Sequence, residues 1–156
     1  MIQRIQTIYL SIATVLTLVM LLLKVQLVYV TAQAGEYFLT PFSINLVGAN
    51  GTETVVSALA IAAILSLGLL LTIFAIMQFK KRKLQIKVAQ GALLLQLAAI
   101  AAIFYYVNEM SKIAEFVPVS YSPILIILLI NVVVYFLAIR GIKKDDKLVR
   151  SADRLR

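Results

Sequence analysis

The sequence predicts an all-α fold: an integral membrane four-helix transmembrane bundle with a basic C-terminal cytoplasmic tail helix. Three observations lead to this fold class. Of the 156 residues, 62% are hydrophobic and only 14% are charged, whereas soluble domains are near half apolar and a quarter charged. Four stretches are apolar over about 20 residues, the length that crosses roughly 30 Å of hydrocarbon. The formal net charge is +8, and the basic residues cluster in a few segments.

The four apolar stretches are separated by polar and turn-forming segments. The predicted spans cover about residues 7–30, 54–79, 88–107 and 123–139. Each span should be a helix, because backbone polar groups cannot stay unpaired in lipid. The intervening segments are two outer loops, 31–53 and 108–122, and one inner link, 80–87. Within the first outer loop, residues 37–39 and 44–47 are predicted to pair as short strands around Pro41.

The chain is expected to form one transmembrane domain over residues 1–141, followed by a tail over residues 142–156. Ser122 and Pro123 match a helix start at the fourth span. Gly141 lies just past the fourth span, where helices commonly end. The sequence therefore predicts that the transmembrane domain stops at Gly141 and that a separate amphipathic tail follows it.

The distribution of charge predicts the orientation of the chain. With four spans, both termini and the 80–87 link share one side, which carries thirteen basic and three acidic residues. The other side carries two basic and four acidic residues. Because Lys and Arg near span ends favour the cytoplasmic side, we expect a multi-pass protein with its N- and C-termini in the cytoplasm.

The spans lack the usual chemistry of enzymes and pumps. The chain has no cysteine and no histidine, which excludes thiol nucleophiles, thiolate metal sites and imidazole acid–base chemistry. Ionisable residues, which proton relays and voltage sensors place at membrane depth, do not occur near the centre of any span. We therefore predict no catalytic residue, no cofactor and no metal site, and the chain is not expected to be an enzyme.

Polar residues inside the spans have two interpretations. Gln90 and Gln96 lie in the third span and Asn131 lies in the fourth, and Asn131 is predicted to face Gln96 because both lie near the middle of the bilayer. The simpler interpretation is hydrogen bonding between helices. The alternative is a polar path through the bundle of a small transporter or channel.

The inner link carries the densest run of positive charge, formed by Lys80, Lys81, Arg82 and Lys83. One interpretation is that this run is only the signal that orients the chain in the membrane. The other is contact with anionic lipid or with a negatively charged partner, since each basic residue near such a leaflet contributes about 1 kcal/mol.

The tail has the pattern of a basic amphipathic helix. Leu148, Ala152 and Leu155 are spaced i, i+4, i+7 and form one apolar stripe. The basic residues of the tail recur on the other face, among them Lys147, Arg150, Arg154 and Arg156. Such a helix binds a protein partner or lies on a membrane surface, and the alternative is a solvated charged tail. Nucleic acid is not an expected partner, because no aromatic or Gly-rich interleaving accompanies the charge.

These observations lead to one functional hypothesis. The chain is expected to be a non-enzymatic membrane protein, an accessory or scaffold subunit whose basic cytoplasmic face docks a protein partner or anionic membrane lipid. The transporter or channel remains the alternative.

Three stretches of the sequence resemble a family of small four-span bacterial membrane proteins that share a domain of unknown function. They are MIQRIQTIYL at 1–10, FKKRKLQI at 79–86, and the tail from AIRG at 138–141 to DDKLVRSADRLR at 145–156. The resemblance covers the whole chain, and the tail is its most specific part. It implies a protein of the bacterial inner membrane with a cytoplasmic tail, and it implies no activity, substrate or catalytic residue.

Overall fold

The computed structural model describes residues 5–32, 35–48, 51–79, 81–114 and 118–153. Within these residues the chain forms four long helices and five strands. The helices are α1 (Ile5–Leu22), α2 (Leu59–Met77), α3 (Arg82–Ile113) and α4 (Ile126–Asp153). The strands are β1 (Val28–Ala32), β2 (Gly35–Leu39), β3 (Ser43–Gly48), β4 (Gly51–Ser57) and β5 (Ser120–Tyr121). All four helices are long and apolar enough to cross a membrane.

The helices pack as a bundle with small residues inside and large apolar residues outside. The most extensive helix packing follows the order α1–α2–α3–α4–α1. Many buried positions are alanines, whereas the large apolar residues most exposed on the bundle surface include Leu70, Leu94, Leu129 and Phe136. This is the arrangement of a lipid-facing bundle, because close helix packing in a membrane depends on small residues and lipid tails solvate large apolar ones.

The strands form one antiparallel sheet of order β4-β3-β2-β1-β5. The predicted pairing of residues 37–39 with 44–47 is confirmed, since Tyr37 pairs with Leu46 and Leu39 pairs with Ile44. The prediction of a purely all-α fold is wrong, because the outer segments also supply three further strands to the sheet. Strands can form here because the backbone groups of each strand find partners on its neighbours.

The sheet covers one end of the helix bundle and shares its core. In β1, Val28 and Val30 are buried whereas Tyr29 is exposed, which is the alternation of a sheet with one covered face. Val28 and Ile44 belong to the same buried cluster as residues of the helices, such as Ile61 of α2, Met110 of α3 and Leu128 of α4. We call this part of the molecule, the sheet with the helix ends that it covers, the sheet end.

Two predicted spans are too long at the sheet end. Helix α1 ends at Leu22, so the predicted span over residues 7–30 includes β1, which begins at Val28. Helix α2 begins at Leu59, and residues 54–57 of the predicted second span belong to β4. Hydrophobicity did not separate helix from strand here, because a short run of apolar residues is compatible with a strand as well as with a membrane helix.

At the opposite end, one predicted interruption is shorter than expected and the other is absent. Helix α3 begins at Arg82, so most of the predicted 80–87 link is helical. Helix α4 runs through Gly141 to Asp153, so Gly141 does not end the fourth helix and the described part of the tail continues it. With 28 residues, α4 is about 42 Å long. It is therefore longer than the hydrocarbon core and extends beyond it.

Candidate functional site

The end of the bundle opposite the sheet carries most of the positive charge, and we call it the basic end. It is formed by the start of α1, the start of α3 and the second half of α4. Its described basic residues are Lys81, Arg82, Lys83, Lys87, Arg140, Lys143, Lys144 and Lys147. The structure separates these residues into two groups, one of which is engaged inside the protein while the other is exposed.

Arg82 belongs to the engaged group. Its Nε lies 3.8 Å from Oδ2 of Asp145, and its Nη1 donates a hydrogen bond of 3.3 Å to the backbone carbonyl of Asp145. Nε2 of Gln6 donates to the same carboxylate oxygen at 3.4 Å. Asp145 therefore joins α1, α3 and α4, and we call these three residues the Asp145 junction. Arg82, predicted to contact a partner or lipid, has a side chain only 18% exposed.

Four residues of the exposed group lie on one face of α4. An open groove of about 460 Å³ is lined by Phe136, Ile139, Arg140, Lys143, Lys144 and Lys147. These residues recur at alternating intervals of three residues and one residue along α4, which places them on one face of the helix. We call the four cations Arg140, Lys143, Lys144 and Lys147 the α4 basic face, and all four are exposed.

The α4 basic face points away from the bundle. The opposite side of α4 packs on α1 and α3, and its residues Asn131, Tyr135, Ala138 and Ile142 are at most 1% exposed. Asp145 contacts Gln6 and Arg82 on that inner side. The cations of the α4 basic face are therefore available to an anion outside the bundle.

The other predicted contact residues lie at the two helix ends. Lys81 and Lys83 are exposed at the start of α3. Leu148 is 58% exposed near the end of α4. Arg150 and Ala152 belong to α4, but only their backbone is described, and the remaining predicted residues lie outside the described residues: Lys80, Arg154, Leu155 and Arg156.

Polar side chains form a layer in the middle of the bundle. Nδ2 of Asn131 donates to Oγ1 of Thr17 at 3.0 Å and to Oε1 of Gln96 at 3.5 Å. The hydroxyls of Thr72 and Tyr135 are 2.6 Å apart. Asn131 and Gln96 thus lie together, as their depth in the spans predicts. All four helices contribute to this layer.

Gln90 does not belong to the polar layer, because its side chain is exposed on the outside of the bundle. Sequence reasoning also missed a member of the layer, Tyr135. Helical spacing could have predicted this position, because Tyr135 follows Asn131 by four residues and so lies on the same helix face. The buried position of Gln6 at the basic end has no comparable signal, because its partner Asp145 is 139 residues away.

The chemistry available at these places is limited to hydrogen bonding and anion binding. Within the described part of the chain, His, Cys, Asp and Glu residues do not come together in groups of three that could hold a metal ion. The polar layer contains amides and hydroxyls, which are weak acids and bases. The α4 basic face offers one guanidinium and three ammonium groups, which bind carboxylates and phosphates.

Comparison with known proteins assigns the chain to a family. No curated protein matches it. A family model described as a domain of unknown function (DUF4293) matches residues 2–155, which confirms the resemblance seen in the sequence. Because the match extends over nearly the whole chain, this protein belongs to the DUF4293 family.

Proposed function

We propose that this chain is a non-enzymatic accessory or scaffold subunit of a bacterial inner membrane. In this proposal the bundle is the anchor, both termini lie in the cytoplasm, and the basic end is the attachment surface for a protein partner. The cytoplasmic position of the basic end follows from the preference of Lys and Arg for that side. The observation that carries the proposal is the outward position of the α4 basic face and of Leu148, next to a bundle whose polar layer faces inward.

The end of α4 is suited to binding a partner because it is already ordered as a helix. Ile142 is fully buried, and Asp145 joins α4 to two other helices. Leu148 follows less than one turn later with its side chain exposed. A preformed helix loses little conformational entropy on binding. The partner that fits is a protein with an apolar recess for Leu148 and acidic residues for the neighbouring cations.

The experiment uses a single substitution with a matched control. Leu148→Asp places a charge on the predicted contact, and Val149→Asp places the same charge on a neighbouring exposed residue about 100° around the helix. We expect a stoichiometric protein partner to co-purify with the intact chain and with Val149→Asp, and to be lost with Leu148→Asp. Equal retention by all three proteins would contradict docking through this helix.

A truncated chain provides the second test, and the structure decides where it should end. Truncation after Gly141 would remove the buried Ile142 and the ion pair of Asp145, so loss of a partner could reflect a damaged bundle. Truncation after Lys147 keeps both, together with the whole α4 basic face. We expect this shorter chain to insert and fold normally but to lose the partner.

The alternative is a small transporter or channel, and one observation favours it. Oδ1 of Asn131 and Nε2 of Gln96 are buried in the polar layer without a hydrogen-bond partner. The first could accept a hydrogen bond from a passing polar solute, and the second could donate one to it. Under this alternative, vesicles containing the protein take up a small polar solute, and Asn131→Leu abolishes the uptake. Absence of flux for ions and for neutral polar solutes would remove the alternative.

A further inference from the structure

We propose that the groove on α4 binds one anionic phospholipid, with its headgroup phosphate on the α4 basic face and an acyl chain along the exposed ring of Phe136. This inference rests on the proposed function in one respect, the position of the basic end at the cytoplasmic leaflet. It adds a ligand class and a defined site, and Leu148 is not among the residues that line this site.

The order of residues along the groove matches the order of chemical groups in a phospholipid. The lining is apolar at Phe136 and Ile139 and becomes cationic from Arg140 onward. The change from apolar to cationic residues occurs where the fourth predicted span, 123–139, leaves the hydrocarbon. From Phe136 to Lys147 the helix rises about 16 Å, which is enough to cover the headgroup and the first part of an acyl chain.

The charge of the groove selects an anion. Its four polar lining residues are all basic and exposed, and the carboxylate of Asp145 is directed to Gln6 and Arg82 on the inner side of α4. Arg140 can bind two phosphate oxygens through its planar guanidinium, while the lysines act as point charges around it. A zwitterionic headgroup would place its own positive group among these cations, so the site should prefer a lipid with net negative charge.

The apolar part of the groove distinguishes a lipid from a soluble phosphate. Phe136 is 60% exposed and belongs to the predicted fourth span, 123–139. The groove volume of about 460 Å³ lies in the range of small-molecule sites. A free phosphate would contact only the cations, whereas an acyl chain also covers the exposed Phe136. The combination therefore indicates a membrane lipid.

The test measures lipid affinity of the full-length protein in neutral detergent by native mass spectrometry. The probes are phosphatidylglycerol and phosphatidylcholine with identical acyl chains. We expect phosphatidylglycerol to bind more tightly. Since one basic residue near an anionic lipid changes affinity about fivefold, Lys143→Gln should weaken phosphatidylglycerol about fivefold, and Lys143→Gln with Lys147→Gln about 30-fold. Phosphatidylcholine binding should stay unchanged in both.

The matched control is Lys87→Gln, which removes one exposed cation of the basic end outside the groove and should change phosphatidylglycerol affinity less than twofold. An equal loss in Lys87→Gln and Lys143→Gln would overturn the proposal in favour of diffuse charge attraction. Equal binding of the two lipids by the unmodified protein would overturn it as well. If glycerol phosphate at equal concentration displaces the lipid, the groove is a site for a soluble anion and the lipid proposal is overturned.

The outcome is separable from that of the proposed function. Leu148→Asn removes the apolar side chain without adding a negative charge beside Lys144, so this variant should bind phosphatidylglycerol as the unmodified protein does. Lipid selectivity without any protein partner would sustain the lipid site and contradict the scaffold function. If Lys143→Gln retains a protein partner and the unmodified protein shows no lipid selectivity, the scaffold function is sustained and the lipid site is contradicted.

Discussion

The sheet end and the basic end are held together by different kinds of interaction. At the sheet end, backbone hydrogen bonds join the strands to one another and to their flanking segments, as between the amide of Leu27 and the carbonyl of Leu39 at 2.8 Å. At the basic end, a few side chains join three helices, and the ion pair of Arg82 with Asp145 measures 3.8 Å. Both ends contain a buried apolar cluster; backbone hydrogen bonds reinforce it at the sheet end, whereas polar side-chain contacts between helices reinforce it at the basic end.

This difference indicates where each end can vary. Exposed side chains of the sheet can change as long as the strand backbones keep their pairing and turns. At the basic end, the buried Ile142 and Asp145 with its partners lie on the inner side of α4, which leaves the outward cations available for binding. A surface that combines a firm inner attachment with unused outward charge is suited to interaction at the membrane.

The largest effect should come from Gly35 at the sheet end. Its φ angle is +137°, and a Cβ at this position would overlap the backbone carbonyl of Val47. Gly35→Ala should therefore lower the free energy of unfolding by about 2–4 kcal/mol, measured by denaturation in detergent micelles.

Gly51 provides the control for Gly35→Ala, because its φ angle is +116° but no atom lies within 4 Å of the position of a Cβ. Gly51→Ala has only the backbone strain, and we expect a loss of about 1–2 kcal/mol. Equal losses for the two variants would show that the overlap with Val47 is relieved and that the sheet backbone is less constrained than we infer.

A smaller effect is expected at the basic end from Asp145→Asn. The substitution removes the charge that attracts Arg82, and because both side chains are partly exposed, the loss of stability should be at most about 1 kcal/mol. High salt should reduce the difference between the two proteins, since it screens the ion pair of the unmodified chain.

The sheet end offers a matched ion pair for comparison. Lys112 lies 2.7 Å from Glu109, three residues earlier on α3. Although this distance is shorter than that of the Asp145 pair, both residues belong to one helix, so Glu109→Gln should have the smaller effect on the stability of the fold. A larger effect of Glu109→Gln would contradict the view that side-chain interactions matter mainly at the basic end.

The smallest effect, and of opposite sign, is expected from Gly141. A Cβ at this position would lie 3.5 Å from Cβ of Gln6, which is an ordinary contact. Because alanine favours a helix more than glycine does, Gly141→Ala should stabilise the protein by about 0.5 kcal/mol, measured under the same conditions. A clear loss of stability would mean that α1 and α4 need the glycine at their crossing.

The sequence allowed some contacts to be predicted because depth in the membrane and helical spacing are local properties. Asn131 and Gln96 each lie in an apolar span at similar depth, which brought them together in the prediction and in the structure. The pairing of Arg82 with Asp145 was not predictable, because many other cations of the same end could have taken its place. The strand β1 was also missed, since its valines suit a helix in lipid as well as a strand in a sheet.

Four apolar helices, a basic end and a strand pair in the first outer loop could be predicted from the sequence. These features follow from hydrophobicity, charge and turn residues, which each segment carries independently of the others. The end of α1 at Leu22, the continuation of α4 through Gly141 and the choice of outward-facing cations became visible only in the folded chain. The physical reason is that strand pairing, helix crossing and ion pairing depend on which distant segments meet.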